Sequence, residues 1–217
     1  DFPHPDTAFI TNGTNIWRSL DKGKTWAVVY SKASPTGLRP NKTFFRNPRL
    51  GFATAFNDGP MTGAILKTTD GVNWQAVTLP GNYTIPAIFF PSDQTGFAIG
   101  HPGKILKSTN SGNNWVAINT GVSNFLNDIY FTSISTGYVC GESGTILKTT
   151  DGGANWTKLN TGIIAQLQTI HFTSQDTGFV AGTSDTVWRT VNGGSTWIPF
   201  RYNYNFQTSY VFKDIHF

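Results

Sequence analysis

The chain has 217 residues and a formal net charge of +4, from 16 Lys and Arg against 12 Asp and Glu. Charged residues make up 13% and aromatics 14%, with 23 glycines, which excludes a disordered tail or a coiled coil and fits a turn-rich β protein. So few charges, with no long basic run, leave no electrostatic footprint for nucleic acid or a membrane surface.

From the N-terminus, Phe2-Pro3 followed by Asp6-Thr7-Ala8-Phe9 lines up with Phe90-Pro91 followed by Gln94-Thr95-Gly96-Phe97. Phe2 is therefore expected at the end of a strand that is otherwise missing. Residues 16–26 run from an apolar strand into a Ser/Asp/Gly/Thr turn that closes on Trp26. Varied copies of this segment follow at 65–74, 105–115, 146–156 and 187–197. Their closing residues, Trp26, Trp74, Trp115, Trp156 and Trp197, are separated by 48, 41, 41 and 41 residues. A fixed period of this size means one supersecondary unit copied along the chain.

Each copy begins with a short apolar strand, such as Ile88-Phe89-Phe90, Ile129-Tyr130-Phe131 or Ile170-His171-Phe172. A polar turn leads to Thr-Gly-aromatic and small apolar residues, as in Thr95-Gly96-Phe97-Ala98, Thr136-Gly137-Tyr138-Val139 and Thr177-Gly178-Phe179-Val180. A glycine turn such as Gly141-Glu142-Ser143-Gly144 follows, then the Ile-Leu-Lys-Thr strand, the turn and the tryptophan that opens the last strand. This pattern predicts four antiparallel strands per repeat, a to d, and no segment has a helical period with caps. Such sheets bury both faces by stacking radially, so the chain is expected to be an all-β, single-domain β-propeller with one repeat per blade. The C-terminus, Asp214-Ile215-His216-Phe217, matches strand a. The expected architecture is therefore five blades, with residues 211–217 completing the first; the alternative is five blades of a six- to eight-bladed propeller.

The 146–156 turn resembles the Asp-box (BNR) repeat, Ser/Thr-x-Asp-x-Gly-x-Thr-Trp, which Ser19, Asp21, Gly23, Thr25 and Trp26 match at every position. The second copy is one residue shorter, and Asn110 and Asn192 replace the Asp in two others. The resemblance implies a structural role for Asp21, Asp70, Asn110, Asp151, Asn192 and their five tryptophans. Residues 136–156 also resemble the repeat of the photosystem II assembly and stability factor type of propeller. What that implies is a non-catalytic scaffold that binds another protein or a surface polymer.

Turns a–b and c–d lie at one end of each blade, and b–c turns and d–a linkers at the other. The boxes occupy the first end, so function is expected on the second, where the copies differ. The longest linkers there are 31–42, 79–86, 119–127 and 201–210, and the b–c turns carry Asp58, His101, Lys104, Glu142 and Asp185. The candidate binding face comprises Arg39, Lys42, His101, Lys104, Glu142, Tyr202 and Tyr204. The last two belong to an aromatic cluster with Phe206 and Tyr210 that suits a sugar, a protein hot spot or a cover for the closing seam. Arg39 and Lys42 form a basic set with Arg46 and Arg49, although strand a separates the two pairs by about 10–15 Å. The basic residue that recurs in strand c (Arg18, Lys67, Lys107, Lys148, Arg189) is expected to be structural, its stem packed beside the tryptophan.

Asp boxes also occur in sialidases, and Phe45-Arg46-Asn47-Pro48 echoes a sialidase segment. The remaining requirements are missing: a single glutamate, Glu142, lies in a turn, and Asp128 and Asp214 precede strand a without a catalytic setting. No Ser-His-Asp arrangement or phosphate loop is present, and the four histidines have no metal spacing. No enzyme activity, cofactor or metal is expected. The alternative reading is a lectin-like carbohydrate-binding module or a sialidase- or glycoside-hydrolase-like domain. The lone Cys140 sits in an apolar strand, which predicts a buried thiol. Sequons at Asn12, Asn41, Asn82 and Asn155 are what chance gives in an Asn- and Thr-rich chain. No apolar run is long enough to span a bilayer and no signal peptide is visible. A monomeric extracellular, cell-surface or periplasmic domain with a protein or glycan ligand is expected.

Overall fold

The computed structural model describes residues 1–32, 37–58, 62–183, 186–201 and 211–212. Its elements among these residues are β-strands, and none is a helix able to cross a membrane. The chain divides into two compact units, one of residues 1–100 with 106–117, the other of 101–105 with residues from 118 on.

In the first unit, β1 (Ala8–Thr11), β2 (Asn15–Ser19) and β3 (Ala27–Ser31) form a three-stranded antiparallel sheet. At the free side of β1, Asp1 and Phe9 exchange backbone hydrogen bonds, both 2.9 Å. Asp1 therefore holds the last paired position of a strand a, as expected for Phe2-Pro3. The second sheet runs β4 (Leu38–Phe45), β5 (Gly51–Asn57), β6 (Thr62–Thr68) and β7 (Gln75–Val77) in chain order. The third contains β8 (Ile88–Phe89), β9 (Gly96–Gly100), β10 (Lys104–Ser108) and β11 (Val116–Asn119), and the division between the units falls within it.

The second unit holds two complete sheets. One is β12 (Leu126–Phe131), β13 (Gly137–Gly141), β14 (Ile146–Thr149) and β15 (Thr157–Lys158); the other is β16 (Leu167–Phe172), β17 (Gly178–Gly182), β18 (Thr186–Thr190) and β19 (Ile198–Arg201). The four-strand meander expected from the repeat is thus present in each complete copy. The closing strand expected over 211–217 lies outside the described residues from 213 on. Phe212 donates its N–H to the Gly182 carbonyl at 3.0 Å.

The core explains the Thr-Gly-aromatic signature. Phe45, Phe90, Phe131 and Phe172, at or just beyond the ends of the four a strands, each meet their own box tryptophan edge-on, at 5.7–6.1 Å. Three of them also stack on the strand-b aromatic of the preceding blade: Phe45 on Phe9 at 3.7 Å, Phe90 on Phe52 at 4.0 Å and Phe172 on Tyr138 at 4.1 Å. The same rings lie flat over Gly51, Gly96, Gly137 and Gly178, where a Cβ would overlap the ring in every case. The glycine is therefore a packing requirement: it admits a ring against bare backbone.

The boxes are hydrogen-bonded turns. In the four full-length copies two successive residues are left-handed: Lys22-Gly23, Ser111-Gly112, Gly152-Gly153 and Gly193-Gly194. The second of each pair donates its N–H to the hydroxyl of Ser19, Ser108, Thr149 or Thr190 at 2.8–2.9 Å. The first donates to a carbonyl of the a–b turn: Lys22 to Asp6, Ser111 to Gln94, Gly152 to Ser135 and Gly193 to Asp176. In the short copy Gly71 alone is left-handed and donates to Thr68 at 2.9 Å. The residue it lacks is the one that ties the other boxes to the a–b turn.

Candidate functional site: the b–c and d–a loop face

At the end opposite the boxes, the d–a linkers run tight against the b–c turns. Around turn 141–144, Glu142 donates its N–H to the Phe125 carbonyl at 2.9 Å, and Gly144 donates to the Ala165 carbonyl at 2.7 Å. A methyl at Gly141 would overlap the Phe125 carbonyl, and one at Gly144 the Ile163 carbonyl. The same arrangement recurs where Thr183 donates to Gln166 at 2.9 Å and where the buried Thr120 hydroxyl donates to Gly103 at 2.6 Å. These linkers are fixed against the b–c turns by backbone hydrogen bonds and, at Thr120, by a side-chain hydroxyl.

Several candidate residues occupy other positions than expected. Arg39 and Lys42 lie within β4, which starts at Leu38, so the 31–42 linker is shorter than expected. Pro40 pairs with Ala55 and Lys42 with Thr54, making Asn41 a β-bulge. The extra residue puts Arg39 and Lys42 on one face of β4, where a regular strand would oppose them. Arg39 binds the Asp58 carboxylate through Nε at 2.6 and 2.7 Å, and Lys32 binds the same carboxylate. The two cations hold Asp58 below the usual carboxylate range, Lys32 having the larger effect. Arg46, at the other end of β4, pairs with Asp93 at 3.0 Å. The basic set is thus divided, as its spacing along the strand predicts.

In the second unit, His101 is half-buried with its ring 4.7 Å from that of Phe125 and its Nε2 on the Leu126 carbonyl. Burial lowers its pKa, opposed by the Leu126 hydrogen bond and the Glu142 charge. Lys104 opens β10 instead of lying in the turn, and donates to Asn119 at 3.3 Å. Tyr202, Tyr204, Phe206, Tyr210, Asp185 and Asp214 lie outside the described residues. Sequence reading missed Phe125 and Ile164, which are 45% and 91% exposed. Each follows or precedes a buried apolar residue, Leu126 or Ile163, so the sequence alone did not separate the exposed member of either pair.

Asp128 and the box aspartates are engaged in hydrogen bonds within the fold. Asp128 Oδ2 accepts from the Thr169 hydroxyl and the Ile170 N–H, both at 3.1 Å, which joins β12 to β16. Asp151 accepts from Thr149, Ala154 and twice from Asn155 at 2.8–2.9 Å, which depresses its pKa to about 2. Asp21 is likewise held at about 2, first by the Thr25 hydroxyl and N–H. Asp70 lies lower still, through Asn73 and Val72. Among the described residues no cluster of His, Cys, Asp and Glu could hold a metal ion. Cys140 is fully buried in β13, as its apolar context predicts.

Three of the strand-c cations lie over an aromatic ring. Lys107, Lys148 and Arg189 place their charges over the strand-b rings of their own blades, Phe97, Tyr138 and Phe179, at 5.3–6.0 Å. Lys67 and Lys148 also reach the next box, donating to Asn113 at 2.6 Å and to the Gly193 carbonyl at 2.7 Å. These contacts are structural, and for Lys107, Lys148 and Arg189 the charged group's ring partner belongs to strand b.

Residues 109–169 match the family model of the photosynthesis system II assembly factor YCF48. The chain is an Asp-box β-propeller resembling that assembly factor. Among solved structures, YCF48 from Cyanidioschyzon merolae matches with a TM-score of 0.69 at 16% identity, over 90% of this chain and 69% of that one. An ancestral GH74 enzyme matches with a TM-score of 0.72 at 16% identity, over 92% of this chain and 30% of the other. The GH74 enzyme of Niastella koreensis gives 0.68 at 21% identity, over 89% and 36%. The chain thus spans about a third of these enzymes, and at such identities the likeness is one of fold. No curated protein sequence matches the chain.

Proposed function

We propose that the chain is a non-catalytic scaffold that holds a partner protein on the face formed by its b–c turns and d–a linkers. The observation that carries this reading is the engagement of five aspartates in the fold itself. Asp21, Asp70 and Asp151 lock boxes, Asp58 bridges Lys32 and Arg39, and Asp128 ties two strands together. A glycosidase needs two opposed carboxylates free to exchange protons or attack. Fixed linkers carrying exposed apolar residues supply instead what a protein interface needs, namely anchors that lose little entropy on binding. The match of residues 109–169 to an assembly factor supports the same reading.

The test is hydrolysis against binding. The purified chain should release no product from polysaccharide and sialoside substrates. Turnover abolished by Asp128→Asn or Glu142→Gln would overturn the proposal in favour of a glycoside hydrolase.

A further inference from the structure

Turn 141–144 lies between two d–a linkers of the second unit. It is clamped on one side by the Phe125 carbonyl through Glu142 N–H, and on the other by the Ala165 carbonyl through Gly144 N–H. The chain flanking each clamp exposes an apolar side chain, Phe125 at 45% and Ile164 at 91%. Phe125 is backed by the His101 ring at 4.7 Å, and Ile164 stands between the buried Ile163 and Ala165. Both anchors are thus held by buried neighbours while facing solvent. Between them the turn carries Glu142, which forms no ion pair with a described residue, unlike Asp6, Asp58 and Asp93. Lys104, the nearest cation by sequence on this face, donates to Asn119 instead.

We infer that Phe125, Glu142 and Ile164 form one docking surface for a protein segment carrying a Lys or Arg flanked by apolar side chains. The charge decides the partner: a carboxylate between two apolar anchors is matched by a cation between two apolar groups, and a partner carboxylate there is repelled. Desolvation by the flanking apolar contacts strengthens the ion pair relative to one in open water. The clamped backbone keeps the three groups in place before binding, so little ordering entropy is lost. This inference rests on the scaffold reading above and gives it an address.

Random peptide display against the whole chain tests it. The enriched peptides should contain a basic residue with apolar neighbours. Binding of the best one, as a synthetic peptide, should fall at least tenfold on Ile164→Ala and on Glu142→Gln. Glu142→Lys should move the preference to peptides with an acidic residue at the same place. Unchanged far-ultraviolet circular dichroism and melting would show that these substitutions leave the fold intact. Enriched peptides without a basic residue, or binding indifferent to Ile164→Ala and Glu142→Gln, would overturn the inference. If the binding then fell on Arg39→Ala, the scaffold reading would survive and this surface would not. Binding of glycans but of no peptide or protein would sink both.

Discussion

The ring of Phe172 lies 4.1 Å from that of Tyr138, tilted by 21°, and covers the bare backbone of Gly178. Phe90 repeats the relationship with Phe52 and Gly96, and Phe45 with Phe9 and Gly51. One joint, used again and again, makes the core depend on glycines that no turn requires.

Gly178→Ala should destabilise the chain by about 1–3 kcal/mol, the usual cost of overpacking a full core. Its added carbon would stand 2.5 Å from Phe172 Cε1. The double variant Gly178→Ala with Phe172→Leu should lose less than the sum of the single losses, because the smaller side chain removes the overlap. Urea denaturation of the three variants measures both effects; strict additivity would mean that the ring does not set the glycine.

Ser111 takes φ 58° in its box where the equivalent positions of two other copies are Gly152 and Gly193. A left-handed non-glycine residue costs about 1–2 kcal/mol, offset in part by the greater freedom of glycine in the unfolded chain. Ser111→Gly is therefore expected to stabilise by about 0.5–1 kcal/mol. A lower melting temperature for this variant would contradict it.

Box carboxylates make stability depend on acid pH. Asp21 and Asp151 titrate at about 2 in the folded chain against an ordinary 3.8, so the unfolded state binds protons first as pH falls. Their stabilisation is complete above about pH 4 and is lost as pH drops through 2. Melting temperature should decline over that window. Replacing both with Asn, which already serves at positions 110 and 192, should flatten the decline while keeping a side-chain acceptor. An identical slope in the variant would assign the acid sensitivity to other groups.

Tyr138 donates its hydroxyl to the Gly193 carbonyl at 2.8 Å, beside Lys148, and burial raises its pKa to about 12. Tyr138→Phe keeps the stacking on Phe172 and removes one hydrogen bond. The expected loss is about 1 kcal/mol, because Lys148 still satisfies the carbonyl. Lys148→Met together with Tyr138→Phe strips the carbonyl of both donors and should cost more than the two single changes combined. Chemical denaturation of the set checks the coupling.

The sequence by itself determined the strand count per repeat, the box turns and the burial of Cys140. Strand alternation and Asp/Gly turn chemistry act over neighbouring residues, so spacing alone exposes them. The Asp1 pairing with Phe9 was also legible, from the match of Phe2-Pro3 to Phe90-Pro91. The tertiary structure decided why the Thr-Gly glycine recurs, because the Phe172 ring that excludes a Cβ at Gly178 comes from another strand. It also decided that the bulge at Asn41 brings Arg39 and Lys42 to one face, which depends on which residues of β5 pair with them. Phe125 and Ile164 emerged as exposed anchors for the same reason. Whether an apolar linker residue is buried depends on backbone contacts to turn 141–144, and those contacts join residues far apart in the chain.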